Sequence, residues 1–233
     1  MQQSLPILIT GADTFPGRLL LEVLRRAGFC QLLCLNAQHT PQLLAQYCAE
    51  AGFVLHLADM HCAAGSTGLT ETLLCQLEAA HNAAPVVFVS SGQAEEDSPM
   101  GESQEATERA VFSYGDRTGN PVYVFRTPTL FAPEYCQTIL ADPSCLAQMD
   151  SSIFLLFAED FADSLLHAFE GAVLSDRSRY PICRAMPIYE IVPQQLIELL
   201  QSFAAGQIPT LPADSLEQKL YRTYLSSLST PTL

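Results

Sequence analysis

Lysine is almost absent from this sequence. Among 233 residues there is a single lysine, Lys219, so arginine supplies nearly all of the positive charge. With 11 basic and 25 acidic residues, the formal net charge is −14. A chain this acidic is repelled by a phosphate backbone and by an anionic lipid surface. The composition therefore argues against nucleic-acid binding and against attachment to a membrane surface.

Long apolar runs and paired cysteines are absent as well. No apolar run reaches the roughly 20 residues that a membrane-spanning helix needs. The N-terminus has no charged segment followed by a cleavage site, so a cytoplasmic protein is expected. The eight cysteines include no C-x-x-C pair and are spread through apolar segments, which favours buried free thiols over a disulfide framework. His56, His61 and Cys62 fit no common zinc spacing, so no metal is expected.

Apolar runs alternate with helical patterns over the first 131 residues. Strands are predicted at 5–10, 31–35, 53–57, 85–90 and 121–126, and helices at 15–27, 41–51, 69–80 and 102–114. The strand segments are short and apolar, as is typical of strands that are buried on both faces. The alternation predicts an α/β fold with a Rossmann-like, doubly wound parallel sheet.

The regular pattern weakens after Phe131. Residues 132–152 contain two prolines and little periodicity, and later helices are predicted at 161–169, from 193 to 206 and from 215 to 228. We therefore expect a Rossmann-like core at 1–131. Residues 132–233 are expected to form a reduced C-terminal lobe whose helices pack on the same domain.

The turn between the first strand and the first helix carries a glycine pattern, T-G-A-D-T-F-P-G, at residues 10–17. Backbone N–H groups of such a turn, together with the helix N-terminus, can bind a pyrophosphate. Gly11 permits the tight turn, Gly17 permits close packing of the helix on the sheet, and Thr14 replaces the middle glycine. The candidate cofactor-binding residues here are Gly11, Asp13, Thr14, Phe15 and Gly17. The alternative is a turn of an α/β fold that binds nothing.

Several motifs together resemble one enzyme family. They are the turn at 10–17, His56-Leu57-Ala58, Val89-Ser90-Ser91, Gly101-Glu102-Ser103, Arg126 with Pro128, Leu130 and Phe131, and the segment 220–225. The chain resembles the extended short-chain dehydrogenases/reductases, which include NDP-sugar epimerases, dehydratases and reductases. It is most similar to the reductase domain of capsular-polysaccharide enzymes that make a UDP-linked amino-deoxy-talose. The resemblance implies NAD or NADP as cofactor and a nucleotide-sugar as ligand.

The catalytic positions of that family are changed in this chain. Its members use a tyrosine just before Gly-Glu-Ser and a lysine four residues later, and here Met100 and Gln104 stand at those positions. The third serine of the strand-end run, often a proton relay, is replaced by Gly92, unless a one-residue shift makes Ser91 the match. Since Met cannot donate a proton and Gln carries no charge, no intact catalytic set is expected.

The cofactor positions that the resemblance implies are changed too. Asn36 stands where an acidic residue usually binds the ribose, and Asp59 follows Ala58 where the family has a glycine. A carboxylate at that point would face the cofactor. Weak binding of NAD or NADP is therefore expected.

These changes predict a catalytically impaired relative that acts by binding a ligand or a protein partner. Two alternatives stay open: an active reductase or epimerase with substituted proton donors, and a structural subunit with an empty pocket. Acidic side chains at Glu95, Glu96, Asp97 and Glu102 lie near the changed positions, although a solvated acidic loop explains them as well. The resemblance also implies a homodimer through helices 69–80 and 102–114, the second of which carries Ala106, Ala110 and Val111.

Overall fold

A computed structural model of the chain describes residues 4–57, 68–95, 97–147, 152–174, 182–184 and 187–229. The strands of the described chain are β1 (Ile7–Thr10), β2 (Leu32–Leu35), β3 (Phe53–His56), β4 (Val86–Ser91), β5 (Val122–Thr127), β6 (Thr129–Phe131), β7 (Ile153–Phe157), β8 (Ile182–Arg184) and β9 (Tyr189–Ile191). Its helices are α1 (Phe15–Arg26), α2 (Pro41–Glu50), α3 (Gly68–Ala79), α4 (Pro99–Thr118), α5 (Pro133–Ala141), α6 (Ser144–Ala147), α7 (Ala158–Leu174), α8 (Pro193–Ala204) and α9 (Leu216–Ser229).

The chain folds into two compact units. Unit 1 contains Met1–Pro128 and Phe161–Ala185, and unit 2 contains Thr129–Asp160 and Met186–Leu233. The first segment of unit 1 ends at Pro128, three residues before the boundary predicted from the sequence at residue 131. Residues 161–185, assigned from the sequence to the second region, return to unit 1.

Unit 1 is built on a parallel sheet of six strands in the order β2-β1-β3-β4-β5-β8. The doubly wound parallel sheet predicted from the alternating pattern is confirmed. Because the strand order reverses between β1 and β3, a crevice opens beyond their carboxyl ends, which is where ligands bind in sheets of this kind.

Helices cover both faces of this sheet. Side chains of α2, α3 and α4, among them Leu44, Leu77 and Val111, share one buried cluster with β-strand residues such as Val54. Right-handed connections on either side of the reversal place α1 on the opposite face. On that second face, Phe125 of β5 contacts Phe161 of α7, with ring centroids 6.5 Å apart.

The helix α4 begins earlier than the sequence suggested. Ser98 is its N-cap, with Oγ accepting a hydrogen bond from Gly101 N–H at 3.0 Å, and Pro99 occupies the first turn. The helix therefore starts at Pro99 and not at Glu102. This start places Met100 and Gln104 within the helix, one turn apart.

Unit 2 contains a three-stranded sheet in the order β6-β7-β9, in which β6 and β7 are parallel and β7 and β9 antiparallel. The side chains of α5, α8 and α9 pack with it in a second core that includes Phe157, Leu200 and Tyr224. None of these strands was predicted, nor was α5. The strands span three to five residues each, and α5 buries only Cys136 and Ile139, so neither leaves a periodic pattern long enough to recognise.

The single lysine lies inside unit 2. Lys219 Nζ donates to Asp160 Oδ1 at 2.7 Å and to Glu159 Oε1 at 3.0 Å, and it lies 5.6 Å from the centre of the Tyr189 ring. Burial alone would lower the pKa of Lys219, but the hydrogen bonds to Asp160 and Glu159 outweigh it and raise that pKa above its ordinary value. Lys219 is a structural cation of this unit.

The cysteines only partly follow the prediction of buried thiols. Cys48 and Cys136 are buried, and burial raises the pKa of each thiol to about 12. Cys30, Cys75 and Cys145 are exposed because they fall on the outer faces of their segments, so the prediction was wrong for them.

Two further properties concern the described residues alone. They include no group of three or more His, Cys, Asp and Glu side chains that could hold a metal ion. Within the same residues, no helix is both long and apolar enough to cross a membrane.

Candidate functional site

The turn after β1 has the tight geometry that its glycines predict. Gly11 is buried and has a φ of 68°, a conformation that favours glycine. A Cβ atom on Gly17 would lie 2.1 Å from the carbonyl oxygen of Gly11, so only glycine fits where α1 starts. The loop after β1 and the first turn of α1 are therefore packed tightly together at the carboxyl end of β1.

The side chain of Thr14 caps the N-terminus of α1. Its Oγ1 donates to the Gly11 carbonyl at 2.6 Å and accepts from Gly17 N–H at 3.2 Å, while its backbone N–H donates to the same carbonyl at 3.0 Å. Thr14 has a φ of −73°, so the residue is unstrained in place of a glycine. Two N–H groups that could face a pyrophosphate, those of Thr14 and Gly17, are thus already engaged within the turn.

This self-capping gives a prediction for nucleotide affinity. Replacing Thr14 with glycine frees Gly17 N–H, and a hydrogen bond to a charged group contributes roughly 1.5–3 kcal/mol, so NADH or NADPH is expected to bind about tenfold more tightly. The loss of the cap costs a few tenths of a kcal/mol when glycine takes its place, so the variant folds. Calorimetry measures the dissociation constants.

The matched control is Thr14→Ser, which keeps the capping hydroxyl and is expected to bind as the native protein does. Equal affinities for the glycine and serine variants would contradict the idea that Thr14 blocks the site.

Asp13 and Asn36 lie beyond the carboxyl ends of the neighbouring strands β1 and β2. Asp13 Oδ2 accepts a hydrogen bond from Ala37 N–H at 3.3 Å. The carbonyl of Asn36 is 2.8 Å from His39 Nδ1. Asn36 stands at the expected position beyond β2, but the carboxylate in this loop comes from Asp13. Sequence reasoning assigned Asp13 to the pyrophosphate turn and could not reveal this contact, because it joins residues 24 positions apart.

The carboxyl ends of β1 and β3 are joined by a buried polar chain. His56 Nδ1 lies 2.5 Å from Thr10 Oγ1, and His56 Nε2 lies 2.8 Å from Thr70 Oγ1 of α3. Thr10 Oγ1 also accepts from Leu57 N–H at 3.2 Å. His56 is therefore a buried structural residue beside the crevice. Ala58 and Asp59, the other candidates at this point, lie outside the described residues, as do His61 and Cys62.

The four candidate catalytic positions, Ser91, Gly92, Met100 and Gln104, lie at the end of β4 and at the start of α4. Ser91 is buried and pairs with Thr127 across the sheet. Gly92 begins a short 3-10 turn, and a Cβ there would lie 3.3 Å from the Thr127 carbonyl. Met100 is half-buried, whereas Gln104 is completely buried. Ser91 brings a hydroxyl to this edge of the sheet, but Met100 and Gln104 bring neither an acid nor a cation.

An ion-pair cluster lies next to these positions and was not predicted. Arg126 of β5 donates to both carboxylate oxygens of Glu108, at 2.9 and 2.6 Å, and to Glu95 Oε1 at 2.9 Å. Glu108 is 3% exposed and Arg126 is 14% exposed. The bonds to Glu108 raise the pKa of Arg126 further above its ordinary value. The sequence shows Glu108 only as a charge beside Glu105 and Arg109 on a helix, and its burial depends on the distant Arg126.

The acidic loop is thus partly tied to the fold. Glu95 accepts from Arg126, whereas Asp97 and Glu102 are exposed, and Glu102 lies in the first turn of α4, where a negative charge favours the helix dipole. Glu96 lies outside the described residues. The arrangement resembles a solvated helix entry more than a set of proton donors.

Comparisons with known proteins agree with the resemblance seen in the sequence. The chain is 28% identical over 244 residues to a UDP-2-acetamido-2,6-beta-L-arabino-hexul-4-ose reductase of Pseudomonas aeruginosa, covering 95% of this chain and 64% of that protein. The capsular polysaccharide assembling protein CapF of Staphylococcus aureus has a similar structure, with a TM-score of 0.78 and 26% identity, covering 96% of this chain and 65% of that one. No protein-family model matches the chain.

A third likeness concerns the fold alone. The structure of RMD from Pseudomonas aeruginosa, complexed with NADPH, has a TM-score of 0.74 and 18% identity, and the match covers 97% of this chain and all of that one. The chain spans just under two thirds of the length of the two relatives named before it. The resemblance to the NAD-dependent epimerase/dehydratase branch of the extended short-chain dehydrogenases/reductases, and to its capsular-polysaccharide reductases, is confirmed.

Proposed function

We propose that this chain, a relative of the extended short-chain dehydrogenases/reductases that act on nucleotide-sugars, has lost efficient hydride chemistry and acts by binding a ligand or a protein partner. The observation that supports this is the pair Met100 and Gln104, one turn apart at the start of α4. A thioether donates no proton, and a neutral amide cannot lower the pKa of a neighbouring acid.

The burial of Gln104 adds a second argument. A bound nicotinamide cofactor would supply the hydride, but the product oxygen still needs a proton from a group within reach. Gln104 has no exposed surface from which to hold a cofactor ribose. The residues here fit the nicotinamide half of a dinucleotide poorly.

The adenosine half fits the residues better. The turn that contains Gly11 and Gly17 retains the form of a pyrophosphate-binding turn at the N-terminus of α1. Asp13 and Asn36 lie beside the place where a ribose would bind. With Thr14 capping the helix, we expect weak binding of NAD or NADP or of a nucleotide-sugar. A cytoplasmic location stays a prediction.

Two other functions compete with this proposal. An active reductase would rely on Ser91 and a neighbouring acid, but Glu95, the described acid closest to Ser91 in the sequence, is engaged with Arg126. A purely structural subunit would bind no nucleotide at all. Nucleotide titration separates that subunit from the other two functions, and turnover separates the active enzyme from the impaired relative.

Loss of turnover is the first prediction of this proposal. With NADH or NADPH and a panel of 4-keto UDP-sugars, we expect no consumption of the reduced cofactor above the rate without protein. The absorbance of the reduced nicotinamide measures this consumption. A turnover of about 1 per second or more would overturn the proposal, because it is typical of working enzymes.

A gain-of-function variant sharpens this test. Met100→Tyr with Gln104→Lys restores the acid and the cation one helical turn apart, and measurable turnover is expected to appear. The matched control is Met100→Phe with Gln104→Met, which has similar volume but no proton donor and no charge.

Assembly is a further proposal. In α4 the small residues Ala106 and Ala110 are half-buried, while Val111 is completely buried against its own sheet and offers nothing to a partner. If a homodimer forms through this helix, Ala110→Arg is expected to convert it to a monomer, measured by light scattering. The control Ala204→Arg, at an exposed position of α8, should leave the dimer intact. A monomeric native protein would reject the dimer.

A further inference from the structure

We infer that Asp13 makes this site select dinucleotides with a free ribose diol, NAD(H), over those that carry a 2′-phosphate, NADP(H). The inference rests on the proposed nucleotide binding and adds its specificity. It assigns to Asp13 the role that an acidic residue beyond the second strand usually has in sheets of this kind.

The position of Asp13 follows from the register of the sheet. Thr10 at the end of β1 pairs with Leu35 at the end of β2, and Ala12 N–H donates to the Leu35 carbonyl at 3.2 Å. The turn after β1 and the loop after β2 are therefore neighbours. The hydrogen bond from Ala37 N–H holds one carboxylate oxygen of Asp13 against the β2 loop. In a doubly wound fold the adenosine ribose lies at this loop.

The charge of Asp13 decides between the two cofactors. Asp13 is exposed, so its second oxygen can accept hydrogen bonds from the 2′- and 3′-hydroxyls of a ribose. A 2′-phosphate at the same place would set two negative charges beside the carboxylate, in a chain whose net charge is −14. Asn36, the residue at the usual position, is neutral and does not discriminate by charge.

Two basic side chains near Asp13 could instead favour a 2′-phosphate. Arg18 is exposed, but its Nη1 donates to the carbonyl of Asp13 at 2.6 Å, which ties the guanidinium to the turn. His39 Nδ1 is bound to the carbonyl of Asn36. Because these contacts hold both groups against backbone, Asp13 is the side chain that we expect to set the preference.

The experiment is a calorimetric titration of the native chain with NADH and NADPH, and with the fragments 5′-AMP and adenosine 2′,5′-bisphosphate, which need no catalysis. We expect NADH to bind at least tenfold more tightly than NADPH, with the same order for the fragments. Asp13→Asn keeps an acceptor for Ala37 N–H and should reduce the ratio to about threefold or less, mainly by improving NADPH binding. Arg18→Gln serves as the control and should not reverse the preference.

Each result has a distinct meaning. Equal or tighter binding of NADPH by the native protein, or an unchanged ratio in Asp13→Asn, would overturn the inference and leave the proposed nucleotide binding intact. An equal fall of the ratio in Arg18→Gln would show that any substitution in this turn lowers it, and would overturn the inference too. If neither dinucleotide nor fragment binds, the proposed nucleotide binding fails, and this inference fails with it.

Discussion

Replacing Arg126 with methionine is expected to destabilise unit 1 by about 3–5 kcal/mol, because it leaves the carboxylate of Glu108 buried without its cation. Glu108 is 3% exposed and receives two hydrogen bonds from the guanidinium. Desolvation of an unpaired carboxylate is costly, whereas the paired geometry offsets most of that cost. Urea unfolding followed by circular dichroism measures the change.

Two control variants isolate the buried pair. Glu95→Gln removes the outer partner of Arg126. The Glu95 side chain is 46% exposed, so its loss should cost about 1 kcal/mol or less. The double variant Arg126→Met with Glu108→Leu removes both buried charges and should recover most of the lost stability. A single Arg126→Met variant as stable as the native protein would show that Glu108 reaches water or another partner.

This pair also bears on the site. Glu108 lies one turn beyond Gln104 on α4, and Arg126 lies on β5, so the pair fixes the helix to the sheet beside Ser91. The family positions its catalytic tyrosine and lysine on this same helix. In the present chain this ion pair is in place, and the proposed function holds that Met100 and Gln104 supply no catalytic chemistry. The double substitution Met100→Tyr with Gln104→Lys tests whether this arrangement of helix and sheet still suffices.

The parallel core could be predicted because its signals are local. Each of the first five strands is an apolar run next to a turn or helix signal, such as Gly11 after β1, and each predicted boundary lies within two residues of the observed one. Met100 and Gln104 could be proposed as candidate catalytic positions because they flank a recognisable Gly-Glu-Ser segment. Such features depend on neighbouring residues and are visible in one sequence.

The remaining features depend on distant residues and could not be predicted. Asp13 meets Ala37, Glu108 meets Arg126, and Lys219 meets Asp160 only after the chain has folded. The strands of unit 2 are too short to show an alternating pattern, since β6 and β9 have three residues each. A single lysine in an acidic chain attracts attention, but nothing in its sequence neighbours reveals that it is buried.

Lys219→Met is expected to destabilise unit 2 by about 3 kcal/mol, because Asp160 is 12% exposed and loses the ammonium to which both of its oxygens are bonded. Thermal unfolding followed by near-ultraviolet circular dichroism measures the change, and Tyr189, Tyr221 and Tyr224 of this unit contribute to the signal. The matched control is Arg222→Gln. Arg222 also pairs with Glu159, but both of those side chains are about half exposed, so a loss of 1 kcal/mol or less is expected.

The direction of the pKa shift of Lys219 determines how the stability difference between the native protein and Lys219→Met depends on pH. The pKa of Lys219 is raised above its ordinary value of 10.5 in the folded chain, so its contribution is complete below that value and is lost only as the pH rises through the folded pKa. The stability difference between the native protein and Lys219→Met should therefore stay constant from about pH 7 to about pH 9 and shrink in more alkaline solution. A difference that already falls by half between those two values would mean that the ammonium is not held by Asp160 and Glu159 as the structure has it.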